Sequence, residues 1–179
     1  MSESSLLSSF HKIKSLYPNR LGATAAYVQG RFYVIGGRST TGLLRHAHSY
    51  NPQTGGYWQR LADSKKPRYK AAAAHLAGLL YVCGGWMLNS ANQWEMSRSC
   101  EKFEPNQDRW VQIADMHRGR VGFGLVGVGS RLIALGGENS KGGSSVEIYD
   151  PNLNMWKVAQ VGLMEPRVDF SAVLVQDFG

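Results

Sequence analysis

Apolar residues in this chain fall in short runs that glycines close. Residues 22–28, 70–76 and 122–128 are small and apolar, and each run meets a turn pair: Gln29-Gly30, Ala77-Gly78 or Gly129-Ser130. A second apolar run follows at 32–35, 79–83 and 132–135, and stops at paired glycines: Gly36-Gly37, Gly84-Gly85 and Gly136-Gly137. No run keeps a 3.6-residue period and each is bounded by Gly, Pro or Asn, so the pattern predicts strands. A third strand is predicted at Tyr50, Phe103 and Tyr149, and a fourth at Trp58, Trp110 and Trp156. Pro52, Pro105 and Pro151 stand between them. Proline cannot donate to a sheet ladder, so it marks the connection from third strand to fourth.

These landmarks keep register. The glycine pairs are 48 and 52 residues apart, and Arg20, Arg68 and Arg120 each precede a pair by 16. From each tryptophan to the next arginine is 10, 10 and 11 residues, the last step reaching Arg167, and Phe10 lies 10 before Arg20. Four short strands every 46 to 53 residues describe a propeller blade. Glycine pairs suit the crowded approach of neighbouring blades, and the recurring aromatic rings suit packing of blade on blade.

The arginine, paired-glycine, aromatic-x-Pro and tryptophan pattern resembles the kelch repeat, and the resemblance covers residues 10–177. It implies an all-β fold, an arc of a kelch β-propeller made of four-stranded antiparallel blades. The expected segments are 1–19, holding the outer strand of a preceding blade, then repeats at 20–66, 67–118 and 119–165, and the start of a fourth at 166–179. The pattern is most similar to the propellers of BTB-kelch adaptors for cullin-3 ubiquitin ligases. The stretch before the first repeat is too short for a BTB or BACK domain. The expectation is therefore a truncated or alternative product, or an arc that associates with a second copy or with a full-length relative.

Composition narrows the classes. The chain has 179 residues, 43% of them hydrophobic, enough to bury a core. No apolar run approaches the roughly 20 residues that span a bilayer. The first residues, Met-Ser-Glu-Ser-Ser, lack the basic and apolar blocks of a secretory signal. Cys83 and Cys100 form neither a disulfide framework nor a metal motif, and fall on neighbouring strands of one blade. Free thiols and a reducing, cytoplasmic setting, with cytoskeletal association as a variant, are expected, and a Cys83–Cys100 pair stays open. A formal charge of +7 favours acidic partners. The aromatics follow the blade repeat instead of interleaving with a basic run, so nucleic acid is not the expected ligand.

In an antiparallel meander the second-to-third and fourth-to-first connections share one face. That face receives residues 38–44, 62–67, 86–97, 115–119 and 138–144, with Lys14, Arg38, Lys65, Lys66, Arg118 and Lys141 against Asp63, Glu95, Asp115 and Glu138. The resemblance implies that the repeat arginines Arg20, Arg68, Arg120 and Arg167, and the residues after the glycines, Arg38, Trp86 and Glu138, contact an acidic peptide. The competing reading pairs those arginines with blade carboxylates such as Glu101 or Glu147. Trp86 and Trp94 are the two tryptophans outside the repeat positions, and in a loop they are candidate anchors for a partner. His46 and His48 would share a strand face, yet no third metal ligand has a recognisable spacing. There is no nucleophile elbow, P-loop or metal motif, so the expected class is a non-enzymatic protein-interaction module without cofactor or metal. Client capture for ubiquitin ligation leads, with actin binding as the alternative.

Overall fold

A computed structural model describes residues 15–138 and 143–175; Phe10, Lys14, Lys141 and Asp177 lie outside the described residues. The first blade holds β1 (Thr24–Val28) and β2 (Arg31–Ile35), a small hairpin of β3 (Arg38–Ser39) and β4 (Gly42–Leu43), then β5 (Ala47–Tyr50) and β6 (Gln59–Arg60). The second holds β7 (Ala72–Leu76), β8 (Leu79–Cys83), a hairpin of β9 (Trp86–Leu88) and β10 (Trp94–Met96), then β11 (Cys100–Glu104) and β12 (Arg109–Ile113). The third holds β13 (Gly124–Val128), β14 (Arg131–Leu135), β15 (Val146–Asp150) and β16 (Met155–Val158). Each blade is a four-stranded antiparallel meander, β1-β2-β5-β6, β7-β8-β11-β12 and β13-β14-β15-β16. The chain is thus all-β, an open propeller arc, and among the described residues the one helical piece is a 3-10 turn at Pro105–Gln107, where the proline ends the third strand.

Two apolar layers fuse the blades. Val28, Tyr33, Ile35 and Ala47 of the first pack on Leu80, Val82, Phe103 and Trp110 of the second. The second blade's opposite face, with Tyr81 and Ile113, packs on Phe123, Leu132, Tyr149 and Trp156 of the third. The recurring rings meet inside each blade: Tyr50–Trp58, Phe103–Trp110 and Tyr149–Trp156 have centroids 5.4, 5.0 and 5.1 Å apart. Such pairs add about 0.5–1.5 kcal/mol beyond their buried area. The indoles also reach across a joint, since Trp110 Nε1 donates to the Ala62 carbonyl at 2.9 Å and Trp156 Nε1 to Ala114 at 3.0 Å.

Small residues let the inner strands β1, β7 and β13 lie side by side. They line an axial groove of about 620 Å³ together with the segment at Ala172. The residue two past each repeat arginine has a left-handed backbone: Gly22, Lys70, Gly122 and Asp169 have φ of 58, 56, 57 and 54°. Their main chains bond in sequence, Lys70 N to Gly22 O, Gly122 N to Lys70 O and Asp169 N to Gly122 O, at 2.8, 3.1 and 2.7 Å. Lys70 Nζ closes on Asp169 Oδ2 at 2.6 Å.

The paired glycines form the joint between blades. The second glycine of each pair donates its N–H to the carbonyl of the next repeat arginine: Gly37 to Arg68, Gly85 to Arg120 and Gly137 to Arg167, at 2.7, 2.8 and 2.7 Å. A Cβ on the first glycine would sit 2.6, 2.5 or 2.9 Å from that same carbonyl oxygen.

One expectation is corrected here. Cys83 and Cys100 are a disulfide, not free thiols: they are register partners across β8 and β11, with Cα atoms 4.2 Å apart and no exposed surface. Directly opposed residues on an antiparallel pair point to the same face at the reach a disulfide requires. The argument from free thiols to a reducing compartment therefore lapses. Among the described residues no helix is long and apolar enough to cross a membrane.

The joint sets the first prediction. Gly84→Ala should cost more than about 3 kcal/mol, because the left-handed backbone takes about 1–2 and the clash with the Arg120 carbonyl adds strain. Gly129→Ala, also at positive φ but with open space around its Cβ, should cost only the backbone share of about 1–2 kcal/mol. Urea midpoints of the two variants test this, and equal losses would show that the joint absorbs a methyl group.

Candidate functional site

The repeat arginines occupy a buried socket. Arg68 Nη1 donates to the carbonyls of Gly84 and Ser99, both at 2.8 Å, and Nη2 donates to Ser99 Oγ and Glu101 Oε1, both at 2.9 Å. Arg120 repeats this with Gly136 O (2.6 Å), Ser145 O (2.8 Å), Ser145 Oγ (2.9 Å) and Glu147 Oε1 (3.0 Å). The carboxylates then collect backbone donors from the incoming connection: Lys65 N and Lys66 N on Glu101, His117 N on Glu147. Burial pulls both guanidinium pKa values below the usual range, while Glu101 and Glu147 oppose that. Arg68 and Arg120 are 1% and 0% exposed. This corrects the expectation that they meet a partner. A planar fork with five donors is what two carbonyls, a hydroxyl and a carboxylate at a closed joint demand.

The other two arginines differ. Arg167 is exposed, and its backbone carbonyl takes the Gly137 N–H. Arg20 is half-buried and, among the described residues, donates only to carbonyls, Pro18, Gly36 and His46, at 3.2, 3.3 and 3.3 Å. In its blade His46 and His48 stand where the others carry Ser99 and Glu101, or Ser145 and Glu147. The alignment follows from the ladder: Gly36, Gly84 and Gly136 donate to the carbonyls of His46, Ser99 and Ser145. His48 is pulled down to about 4, first by burial and then by the charges of Arg20 and Arg60. The recurring Ser-x-Glu, and its replacement by His-x-His, was a sequence signal that the landmark reading passed over. Among the described residues no group of three or more His, Cys, Asp or Glu could hold a metal.

Three of the expected partner-binding residues do come together at the surface. The hairpins β3-β4 and β9-β10 grow from the glycine pairs, and isolated bridges pin their bases: Leu21 to Arg38 and Tyr69 to Trp86, as well as Val121 to Glu138. Trp86 and Trp94 meet edge to face, centroids 6.4 Å apart and planes at 84°. The Arg38 guanidinium of the neighbouring blade lies 5.8 Å from the Trp94 ring centre. Trp94 is 47% exposed, Leu88 beside it on the hairpin is also exposed, and Trp86 is half-buried. Glu138 is exposed on the third blade and acts on Lys70 through charge. The cluster therefore offers aromatic edges, a partly exposed indole and a cation on one rim, supported by two blades.

A blade-repeat protein with a loop-borne aromatic cluster is the class these features define. The kelch motif model matches residues 19–64, 67–117 and 119–160. The chain belongs to the kelch-repeat family. It is 39% identical over 105 residues to Kelch-like protein 33 of Homo sapiens, covering 57% of this chain and 19% of that protein. It is 29% identical over 122 residues to Kelch-like protein 36 of Rattus norvegicus, covering 68% and 20%. It is also 29% identical over 142 residues to Kelch-like protein 23 of Homo sapiens, covering 76% and 24%. The chain spans about a fifth to a quarter of the length of these relatives. Among solved structures it resembles that of YjhT, with a TM-score of 0.66 and 19% identity over 82% of this chain and 54% of the other, a likeness of fold.

Two predictions follow from the socket. Glu101→Ala strands a buried guanidinium and two backbone donors and should cost about 3–5 kcal/mol, whereas Arg131→Ala, which breaks an exposed pair with Asp150, should cost less than about 1. Chemical denaturation separates the two; similar losses would mean the socket is as loose as the surface. His48 gives a pH dependence. Its folded pKa lies below its ordinary value, so the unfolded chain binds the extra proton first, and stability falls as pH drops from about 6.5 to about 4. His48→Gln should flatten the thermal midpoint over that window, and an unchanged slope would place the titration elsewhere.

Proposed function

We propose that this chain is a protein-interaction module that captures an acidic segment of a client protein at the Arg38–Trp94–Trp86 rim. One observation carries this reading: a cation from one blade lies over an exposed indole from the next, and that indole is braced by a second. Tryptophan and arginine are the residues that most often dominate binding energy at interfaces. A rigid scaffold fixes the base of both hairpins, so a client would meet a preformed surface. Arg38 can pair with a client carboxylate while its aromatic neighbours take an adjacent apolar side chain. The formal charge of +7 favours approach of acidic segments. Resemblance to BTB-kelch propellers supports the finer reading that such capture serves cullin-3 ubiquitin ligation.

A peptide array in which Asp and Glu flank single apolar residues, followed by titration of the best binder, tests the site. Trp94→Ala should weaken that peptide at least tenfold, and Arg38→Ala should weaken it less while reducing the dependence on salt. Cosedimentation with filamentous actin separates the cytoskeletal alternative. Undiminished peptide binding by the folded Arg38→Ala/Trp94→Ala variant would overturn the assignment of the site.

A further inference from the structure

The first blade carries a carboxylate socket that lacks its carboxylate. In the other two blades, arginine Nη2 is held by a serine hydroxyl and a glutamate. In the first blade neither acceptor exists, and Arg20 Nη2 is out of contact with solvent with no hydrogen-bond partner. His46 Nδ1 and His48 Nδ1 are likewise buried and unpartnered. Arg68 Nη2 and Arg120 Nη2 are both satisfied; among the described residues the remaining orphan of this kind is Arg68 Nε, in a socket already neutralised by Glu101.

The charges agree with the geometry. Arg20, Arg60 and Asp63 act on both His46 and His48 here, and Arg45 acts on His46. Asp63 is engaged by Arg60, and among the described residues Arg20 has no ion-pair partner. The sequence also offers a backbone donor at the matching position. Glu101 and Glu147 accept the N–H three residues before their repeat arginines, from Lys65 and His117. Tyr17 holds that position before Arg20. It is 85% exposed.

We propose that the Arg20–His46–His48 socket of the first blade binds a carboxylate group, bidentate or single-pronged on Arg20 Nη2, with the Tyr17 N–H as second donor. The ligand chemistry is that of a free small carboxylate or of an Asp or Glu side chain presented by a polypeptide. Binding places a negative charge beside His48, so the imidazole takes up a proton more readily and affinity rises as pH falls from 7 towards the carboxylate's own pKa.

The test uses the whole chain, following the histidine ring resonances and the thermal midpoint at pH 6.5. Sodium formate and N-acetyl-glutamate amide are titrated against sodium chloride at equal ionic strength. Formate should shift the His46 and His48 signals saturably and raise the pKa of His48, with chloride inert. If N-acetyl-glutamate amide does the same, the socket admits a side chain; if formate alone acts, it takes free small anions. The His46→Ser/His48→Glu variant installs the acceptors of the other blades and should raise the midpoint by about 2–4 °C while abolishing the formate response. Should that variant not fold, Arg20→Gln must lose the formate response on its own. Formate indistinguishable from chloride, or a formate response that survives in either folded variant, overturns the proposal.

Discussion

Arg68 and Arg120 each serve two blades at once. The main-chain carbonyl of each receives the N–H of the preceding blade's second glycine, while its guanidinium ties together the glycine carbonyl, the third strand and the glutamate of its own blade. The first glycine must be bare, because the same carbonyl presses on the place where its Cβ would be. A buried cation among carbonyls is costly unless its donors find acceptors, and Ser-x-Glu on the third strand supplies two for Nη2. The apolar layers between blades give most of the burial but little direction, since apolar contact is non-directional. The joint supplies the direction. It fixes how far one blade is turned against the next.

That fixed turn builds the surface site. Arg38 and Trp94 belong to different blades, and their contact exists because the hairpins that carry them start immediately after the jointed glycines. The bridges from Leu21 to Arg38 and from Tyr69 to Trp86 tie the foot of each hairpin to the residue following a repeat arginine. Few bonds separate the socket from the rim. A change that loosens the socket would therefore reach the rim as displacement, even without touching Arg38 or the indoles.

The repeat was legible because its landmarks are the residues the joint and the ring pairs cannot do without. Glycine pairs, aromatic and tryptophan recur at fixed spacing since each has one geometric task per blade. The placement of the arginines was less legible. Arginine is usually a surface residue, and nothing in spacing alone reveals that Arg68 turns inward under Gly84 and Ser99; that depends on how the connection crosses the sheet. The Ser-x-Glu partners were present as Ser99/Glu101 and Ser145/Glu147, but the first copy breaks the pattern, so three-way comparison hid it. The disulfide turns on register, which places Cys83 opposite Cys100 and not one residue aside. Trp86 and Trp94 were visible as non-repeat tryptophans, yet their mutual contact required residues 86–97 to fold as a hairpin.

The first blade shows what the glutamate does by lacking it. Without a carboxylate, Arg20 falls back on three carbonyls at 3.2 to 3.3 Å, whereas the Arg68 bonds are all 2.8 to 2.9 Å. One of those carbonyls, Pro18, lies in the incoming connection itself, the segment that Glu101 and Glu147 hold in the other blades through its N–H groups. Proline at that position removes one such N–H and offers a carbonyl instead, which suits a socket with surplus donors and no acid. The same swap leaves two imidazoles beside a guanidinium, and burial, together with the charges of Arg20 and Arg60, keeps His48 neutral near pH 7. The blade thus stays folded with its cation only partly satisfied. An arginine held by long bonds to carbonyls still has room for a better acceptor, which the two carboxylate-bearing blades have already filled.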